Sequence, residues 1–486
     1  MIKEPELPSV KAVVLHACNV LSGVCDQAYT LRFTFAVLLL KYISDTCIRD
    51  DPREPLPPAR FAVPDVARYS TLKDAHSRPG TAKRLNLALQ ALEDANAELS
   101  GVFRGIDFDA PTLGNSEQKD RLLPMLLNAF SVLDLSFPSH SNETSRIAIE
   151  ASRNLLMFAS SAGGKRGAEF FTPPELSLLI ARLMKVKAGE TIFDPCCGSA
   201  STLIACNQVA SEPLEKNSRV LYGQEINGDT WALAKMNMIL NGEDQYQLKL
   251  GDSLRDPQYL DTVGRLEKFD VLIAHPPFSV REWGGEEAAI DRFERYSRGV
   301  PPRSSADYAF ISHMIASLKS ESGRMAVIVP LGVLFRGGAE LQIRERLIRE
   351  NLVDAVIALP IKMFSYTSIG AAILLIKNNK PTDDILFIDA SRSFQSGKVQ
   401  NTLGDSDLEK IVSCFHERSV LDYYSKRATQ DEIAANDMSL SVARYVGTPL
   451  EKNLVNISAL RSEQALLTAE LARLEAKRSL LINELV

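Results

Sequence analysis

The first third of the chain carries apolar residues at the spacing typical of amphipathic helices. Between Leu31 and Ile43 the apolar side chains recur at intervals of three and four, and a proline-rich stretch from Pro52 to Pro64 interrupts the pattern. This periodicity predicts a helical N-terminal domain over residues 1–150.

From Thr191 onward the pattern changes to short β-rich runs separated by helical segments. The runs cover Thr191–Phe193, Val220–Tyr222, Val271–Ala274, Met325–Val329, Leu352–Leu359 and Ala371–Ile376. Strands that alternate with helices predict a mostly parallel, doubly wound sheet with helices on both faces. We therefore expect an α/β domain over residues 151–430.

The remaining residues, 431–486, end in a segment with one apolar seam. At spacings of three and four lie Ile457, Leu460, Leu467, Leu471, Leu474, Leu481 and Leu485, with Gln464 and Arg478 as interruptions. The seam predicts a C-terminal helix that packs against a partner, as in a coiled coil. A helix that packs on its own domain explains the pattern equally well, because one seam does not identify the surface that covers it.

Composition narrows the class of protein. The chain has 486 residues, 45% hydrophobic and 24% charged, which is typical of a globular protein with several domains. Its most apolar N-terminal stretch, Phe33–Leu40, is too short to span a membrane, and Met1 is not followed by a secretory signal. We expect a cytoplasmic protein without a membrane partner.

Cysteine content and charge add two further expectations. The seven cysteines are an odd number and include no C-x-x-C pair, so neither a disulfide framework nor a metal site is predicted. The net charge of −6 argues against a free-standing DNA binder, because basic side chains supply most non-specific affinity for phosphates. If DNA is the substrate, a partner should supply much of the affinity for DNA.

Three carboxylates follow successive predicted strands. Asp194 opens the small-residue turn Asp194–Ser199, Glu225 lies in the turn Tyr222–Asn227, and Asp252 follows Leu250 and Gly251. Such turns at the carboxyl edge of an α/β sheet form nucleotide-cofactor sites, in which a carboxylate accepts hydrogen bonds from a ribose. Taken singly, each also fits a tight turn without a ligand or a solvated charge.

A fourth turn, His275-Pro276-Pro277-Phe278, follows the apolar run Val271–Ala274. Two consecutive prolines fix an extended, rigid backbone and present Phe278 at the edge of the sheet. An aromatic ring there can stack on a base extruded from a duplex. By itself the motif also fits a simple strand stop.

Other motifs occur in the same order along the chain: Gly167–Glu175, Thr230–Asn237, Leu331–Glu340, and Ile343 with Arg344. Together with the four turns they resemble the adenine-N6 DNA methyltransferases, and specifically the modification subunits of Type I restriction-modification systems. The resemblance covers about residues 10–450. It implies a seven-stranded methyltransferase sheet and S-adenosylmethionine as the cofactor.

The resemblance also assigns roles to individual residues. Phe170 and Thr172 would hold the methionine end of the cofactor, Asp194 and Gly198 would line its amino-acid side, and Glu225 would bind the ribose. Asp252 and Ile226 would contact the adenine of the cofactor. The Pro276 carbonyl and Pro277 would shape the catalytic turn, and Phe278 would stack on the target base.

Two positions depart from the family pattern. The family has Asn where this chain has His275, and glycines where it has Ala200 and Ser201. An Asn amide oxygen accepts a hydrogen bond from the adenine amine, whereas imidazole can accept only when neutral. Two interpretations stay open: a slow enzyme that uses His275, or a subunit impaired to the point of inactivity.

The implied assembly contains several subunits. Type I systems pair two modification subunits with one specificity subunit, and a nuclease-translocase restriction subunit joins them on double-stranded DNA. The alternative to an active enzyme is a catalytically silent structural subunit of the same assembly. A third interpretation, methylation of protein or RNA, is disfavoured because the segments after Phe278 resemble the DNA-modifying family.

Overall fold

The computed structural model describes residues 9–46, 60–75, 78–135, 142–162, 171–209, 219–365, 367–448 and 457–483. The chain divides into two units, Met1–Val446 and Gly447–Val486.

The N-terminal part of the first unit is helical. Its helices are α1 (Val10–Ser22), α2 (Gln27–Thr46), α3 (Tyr69–Asp74), α4 (Thr81–Ala95), α5 (Ser116–Phe130) and α6 (Asn142–Ala162). The apolar run of α2 is almost wholly buried, including Phe35 and Leu38. A capping box between Asn115 and Gln118 satisfies backbone groups at the start of α5. These helices share one apolar core.

The rest of the first unit is built on a sheet with strands β1 (Thr191–Asp194), β2 (Val220–Glu225), β3 (Tyr246–Leu250), β4 (Val271–Ala274), β5 (Arg324–Pro330), β6 (Val353–Ala358), β7 (Ala371–Lys377), β8 (Ile385–Asp389) and β9 (Ser425–Ala428). Their order is β3-β2-β1-β4-β5-β7-β6-β8-β9. Five of the neighbouring pairs are parallel and three are antiparallel. The mostly parallel α/β class is confirmed, but the described residues form nine strands and the expected count of seven was wrong.

Helices cover both faces of this sheet. They are α7 (Pro174–Met184), α8 (Ser201–Val209), α9 (Gly228–Leu240), α10 (Asp307–Ala316), α11 (Ala339–Arg349), α12 (Asp405–Glu417) and α13 (Gln430–Ala435). In β4, Val271 and Ile273 join the core under α7, α8 and α12, whereas Leu272 and Ala274 join the core under α10 and α11. Alternate burial of successive residues on two faces is the pattern of a doubly wound sheet.

Helix α9 connects the helical part to the sheet. Its residues Leu233, Met236 and Ile239 belong to the core of the N-terminal helices, whereas Ala234 and Met238 face the sheet. Because α9 follows β2 directly, the N-terminal helices pack beside the strand that ends in Glu225.

The described residues of the second unit include the helix α14 (Ile457–Asn483), of 27 residues. The seam residues Leu467, Leu471 and Leu474 are exposed. The side chains of Ile457, Leu460 and Leu481, and all of Leu485, lie outside the described part of the chain. No helix within the described residues combines the length and apolar character needed to cross a membrane.

Candidate functional site

Four of the predicted site residues lie at the carboxyl ends of the neighbouring strands β1 to β4. Asp194 and Glu225 are the last residues of β1 and β2, Asp252 follows β3 by two residues, and His275 directly follows β4. These strands are parallel to one another, so the four side chains share one edge of the sheet.

A cavity of about 260 Å³ opens at this edge. Its walls include most of the residues to which the sequence assigned roles: Thr172, Asp194, Gly198, Glu225, Ile226, Asp252, His275 and Pro277. Pro276 is buried beside them, and Phe278 is partly buried next to His275. Phe170 lies outside the described residues.

The turn after β1 is held against the end of β2. The Glu225 carboxylate accepts hydrogen bonds from the backbone N–H groups of Gly198, at 3.0 Å, and Asn227, at 2.8 Å. The Asp194 carboxylate accepts from the N–H of Cys196 at 2.9 Å. Both acids therefore shape the loop in addition to facing the cavity.

The departure from glycine at position 200 falls on a demanding backbone position. Ala200 has φ 62°, in the left-handed region, and its side chain is fully buried. A left-handed conformation costs a residue with a Cβ roughly 1–2 kcal/mol more than it costs glycine. The turn thus keeps its shape at some expense in stability. Ser201 starts α8, and its hydroxyl lies 2.8 Å from that of Ser199.

Burial changes the acidity of the groups around the cavity. Burial, together with the nearby Glu225 charge, raises the pKa of Asp194 to about 7. Burial also raises the pKa of Glu225. A carboxyl pair that is costly to ionise alone favours a ligand carrying positive charge and hydroxyl donors.

His275 lies in an aromatic cluster with Phe278 and Phe364. Its ring centroid is 4.9 Å from that of Phe364 and 5.5 Å from that of Phe278. Its Nδ1 atom is 3.1 Å from the Thr172 hydroxyl. Burial lowers the pKa of His275 to about 4, so the imidazole is neutral near neutral pH and one of its ring nitrogens is an acceptor.

Hydrogen bonds to Asp307 hold the turn that carries Phe278. Ser279 has φ 55°, and its N–H donates to the Asp307 carboxylate at 2.9 Å. The other Asp307 oxygen accepts from Arg336 at 3.0 Å and from the Ser305 hydroxyl at 2.9 Å. Arg336 belongs to the motif Leu331–Glu340, so part of that motif supports the turn.

Sequence reasoning missed three aromatic residues at the site. Trp283 and Phe310 line the cavity, and Phe364 completes the aromatic cluster from the loop between β6 and β7. Trp283 follows the Pro-Pro-Phe turn closely and could have been suspected from that position. Phe364 has no local signal. Within the described residues, no group of three or more His, Cys, Asp and Glu side chains is arranged to hold a metal ion.

The chain is similar to a family of known proteins. Residues 153–453 match the family model described as N-6 DNA Methylase. The chain is 34% identical over 374 residues to the Type I restriction enzyme MpnII methylase subunit of Mycoplasma pneumoniae, covering 74% of this chain and 68% of that protein. It is 31% identical over 425 residues to the HindI methylase subunit of Haemophilus influenzae, covering 82% of this chain and 92% of that protein.

A solved structure is similar over most of the chain. The crystal structure of the type I restriction-modification system methyltransferase subunit from Streptococcus thermophilus superposes with a TM-score of 0.78 at 26% identity. The similarity covers 90% of this chain and 99% of that one. It therefore includes the helical part as well as the sheet.

Proposed function

The chain belongs to the N-6 DNA methylase family, among the methylase subunits of Type I restriction enzymes, and we propose that it methylates adenine N6 in DNA under the direction of a separate specificity subunit. The observation that carries the proposal is the convergence of Asp194, Glu225, Asp252 and the Pro-Pro-Phe turn on one cavity. S-adenosylmethionine is the cofactor, and when bound it supplies the methyl group from its sulfonium.

The cavity fits that cofactor. Asp194 faces the position of a cationic amino-acid part, and Glu225 offers acceptors for a ribose diol. Asp252, Trp283 and the exposed side chain of Ile226 also line the cavity, and these residues would contact the adenine ring. Thr172 also lines this pocket, and its hydroxyl is hydrogen-bonded to His275 Nδ1.

The target adenine would stack on Phe278, next to His275, while the buried ring of Phe364 supports the His275 ring. For the exocyclic amine to donate to His275, the ring must carry its proton on Nδ1. This N–H then donates a hydrogen bond to the Thr172 hydroxyl, and Nε2 offers its lone pair. The Pro276 carbonyl is the second acceptor in this arrangement. Together the two acceptors draw the amine hydrogens away from the attacking direction of the nitrogen lone pair.

A silent structural subunit is the second candidate, and His275 is the observation that favours it. Both candidates share the same assembly: two copies of this subunit, a specificity subunit, a restriction subunit and double-stranded DNA. We propose residues 1–150 as a helical part that closes over DNA, 151–430 as the catalytic part and 431–486 as the partner-binding part.

The proposal is tested by expressing the chain with its specificity subunit, from the neighbouring gene, in a host that lacks adenine methylation. Sequencing that detects N6-methyladenine should find one modified sequence motif throughout the host DNA. Unmodified DNA, in cells where the two subunits co-purify, would favour the structural subunit.

Cofactor affinity is expected to rise by about tenfold from about pH 6 to about pH 8. Burial raises the pKa of Asp194 to about 7, so its carboxyl group ionises within this interval. Only the ionised form attracts the cationic methionine part, so binding at low pH must release a proton. Calorimetry at the two pH values measures the effect, and Asp194→Asn should abolish most of it. A wild-type affinity that is equal at both values would contradict the role of this carboxylate.

Truncation before about residue 450 is expected to leave a folded protein that binds the cofactor but no longer co-purifies with the specificity subunit. The division of the chain at Val446 and the exposed seam of Leu467, Leu471 and Leu474 support this expectation. Affinity purification of the tagged specificity subunit provides the measurement. A truncated chain that still forms the full complex would show that α14 is not needed to bind the specificity subunit.

A further inference from the structure

Four large apolar side chains are exposed at the same edge of the sheet as the cavity. Their exposed fractions are 37% for Leu331, 54% for Phe335, 56% for Ile361 and 53% for Ile369. Leu331 and Phe335 follow β5, Ile361 follows β6, and Ile369 precedes the antiparallel β7. Exposed apolar groups concentrated in one place indicate a binding surface. We call these four residues the apolar rim.

The apolar rim is continuous with the aromatic cluster. Phe364 lies between Ile361 and Ile369 in the loop that joins β6 and β7. The Leu331 N–H donates to the Gly370 carbonyl at 3.0 Å, and its side chain lies so close to Gly370 that a Cβ there would meet it at 2.7 Å. The rim therefore borders the place where a target base would stack.

Phe335 is also connected to the turn that carries Phe278. The next residue, Arg336, donates to Asp307, and Asp307 accepts from the N–H of Ser279. The neighbours of Phe335 and Phe278 in sequence are thus linked through Asp307. Arg336 is paired with Asp307 and Glu340, but the exposed Lys362 directly follows the rim residue Ile361. An exposed basic group beside apolar ones suits nucleic acid, whose phosphates and exposed base faces lie close together.

A duplex from which one base is extruded offers the matching surface. Extrusion breaks two stacking contacts and leaves an apolar gap in the helix. Proteins that open base steps fill such gaps with an apolar side chain. Only Phe335 among the rim residues has a planar ring that can stack on the bases at both sides of the gap. We propose that Phe335 enters the gap left by the target adenine, and that Leu331, Ile361 and Ile369 pack around the opened step.

This inference rests on the proposed function, since it requires DNA at the site. The test uses the complex with the specificity subunit and a duplex that carries 2-aminopurine at an adenine of the sequence that this complex protects in footprinting. Fluorescence of 2-aminopurine rises when the base leaves the stack. Phe335→Ala should reduce this rise, and should slow methylation of the normal duplex by about fivefold or more, because unstacking is no longer compensated. Phe335→Trp, which keeps a planar ring, should retain most of the signal.

A duplex with a mismatch at the target adenine separates this role from a merely structural one. Weak pairing makes extrusion easier, so the defect of Phe335→Ala should shrink to within about twofold there. Val263→Ala, at another exposed apolar residue, in the connection that enters β4, should behave like the wild type on both duplexes. An equal defect on both duplexes, or none on either, would overturn the inference.

Two further outcomes are informative. Failure of Phe335→Ala to co-purify with the specificity subunit would mark the rim as a protein interface and would also overturn the inference. Normal extrusion by the wild type without methyl transfer would count against the proposed catalysis alone, because the fluorescence of the variants would still report on Phe335. If the wild type extrudes no base from either duplex, the inference fails.

Discussion

Replacing His275 with Asn is expected to accelerate methyl transfer at least about tenfold, and by as much as about a hundredfold, because one positioned acceptor at a transition state is typically worth on the order of 3 kcal/mol. The Asn side chain presents its amide oxygen as an acceptor in any protonation state. His275 presents an acceptor only as a neutral ring, in one of two tautomers. The low pKa of about 4 keeps the His275 ring neutral near neutral pH, but it does not decide which ring nitrogen carries the proton.

The structure specifies what the tautomer depends on. The Thr172 hydroxyl can donate to Nδ1 or accept from it, and only the second arrangement leaves Nε2 as an acceptor. The tilted contact with Phe364 also fixes the ring plane. Binding of DNA and stacking on Phe278 depend little on this choice. We therefore expect the substitution to change the rate of transfer much more than the affinity for DNA.

Single-turnover transfer of labelled methyl groups, with saturating cofactor and the specificity subunit present, measures this effect. His16→Asn, at an exposed histidine of α1, is the matched control and should leave the rate unchanged. Equal and robust rates for wild type and His275→Asn would show that imidazole is a competent acceptor. No transfer by either protein would indicate that Ala200 and Ser201 impair the enzyme, or that the subunit has a structural role.

The part of the fold that could be predicted is the part with strong local patterns. All six predicted β-rich runs are strands, because buried central strands are continuous apolar segments. The strands left out of that list include both edges of the sheet, β3 and β9. In β9 the residues Lys426 and Arg427 occupy half of the strand, and β3 alternates polar with apolar residues. Edge strands are half solvated and carry charges, so a search for apolar runs passes over them.

The candidate site divides along similar lines. Asp194, Glu225 and His275 could be located because the first two end strands and His275 directly follows one, and parallel strands bring their carboxyl ends to one edge. Phe364 and Arg336 are remote in sequence from these turns. Their positions depend on the packing of the loop before β7 and of the segment after β5, which no local pattern encodes. The contact between Thr172 and His275 joins residues 103 positions apart and was equally hidden.

The second large effect is expected from Glu225→Ala, which should weaken S-adenosylmethionine binding by about a hundredfold through the loss of charge-assisted hydrogen bonds to the ribose, worth roughly 1.5–3 kcal/mol each. The Glu225 carboxylate also accepts from the N–H groups of Gly198 and Asn227, so its removal loosens the turn after β1. Glu225→Gln separates the two contributions. Its amide oxygen can still accept one of these hydrogen bonds, but it carries no charge, and we expect an intermediate loss of about tenfold.

Calorimetry gives the affinities, and thermal unfolding shows that each variant is folded. Glu321→Ala, at an exposed acid away from the cavity, should bind as the wild type does. Unchanged affinity in Glu225→Ala would refute the assignment of the ribose site to β2, because no other described carboxylate ends that strand.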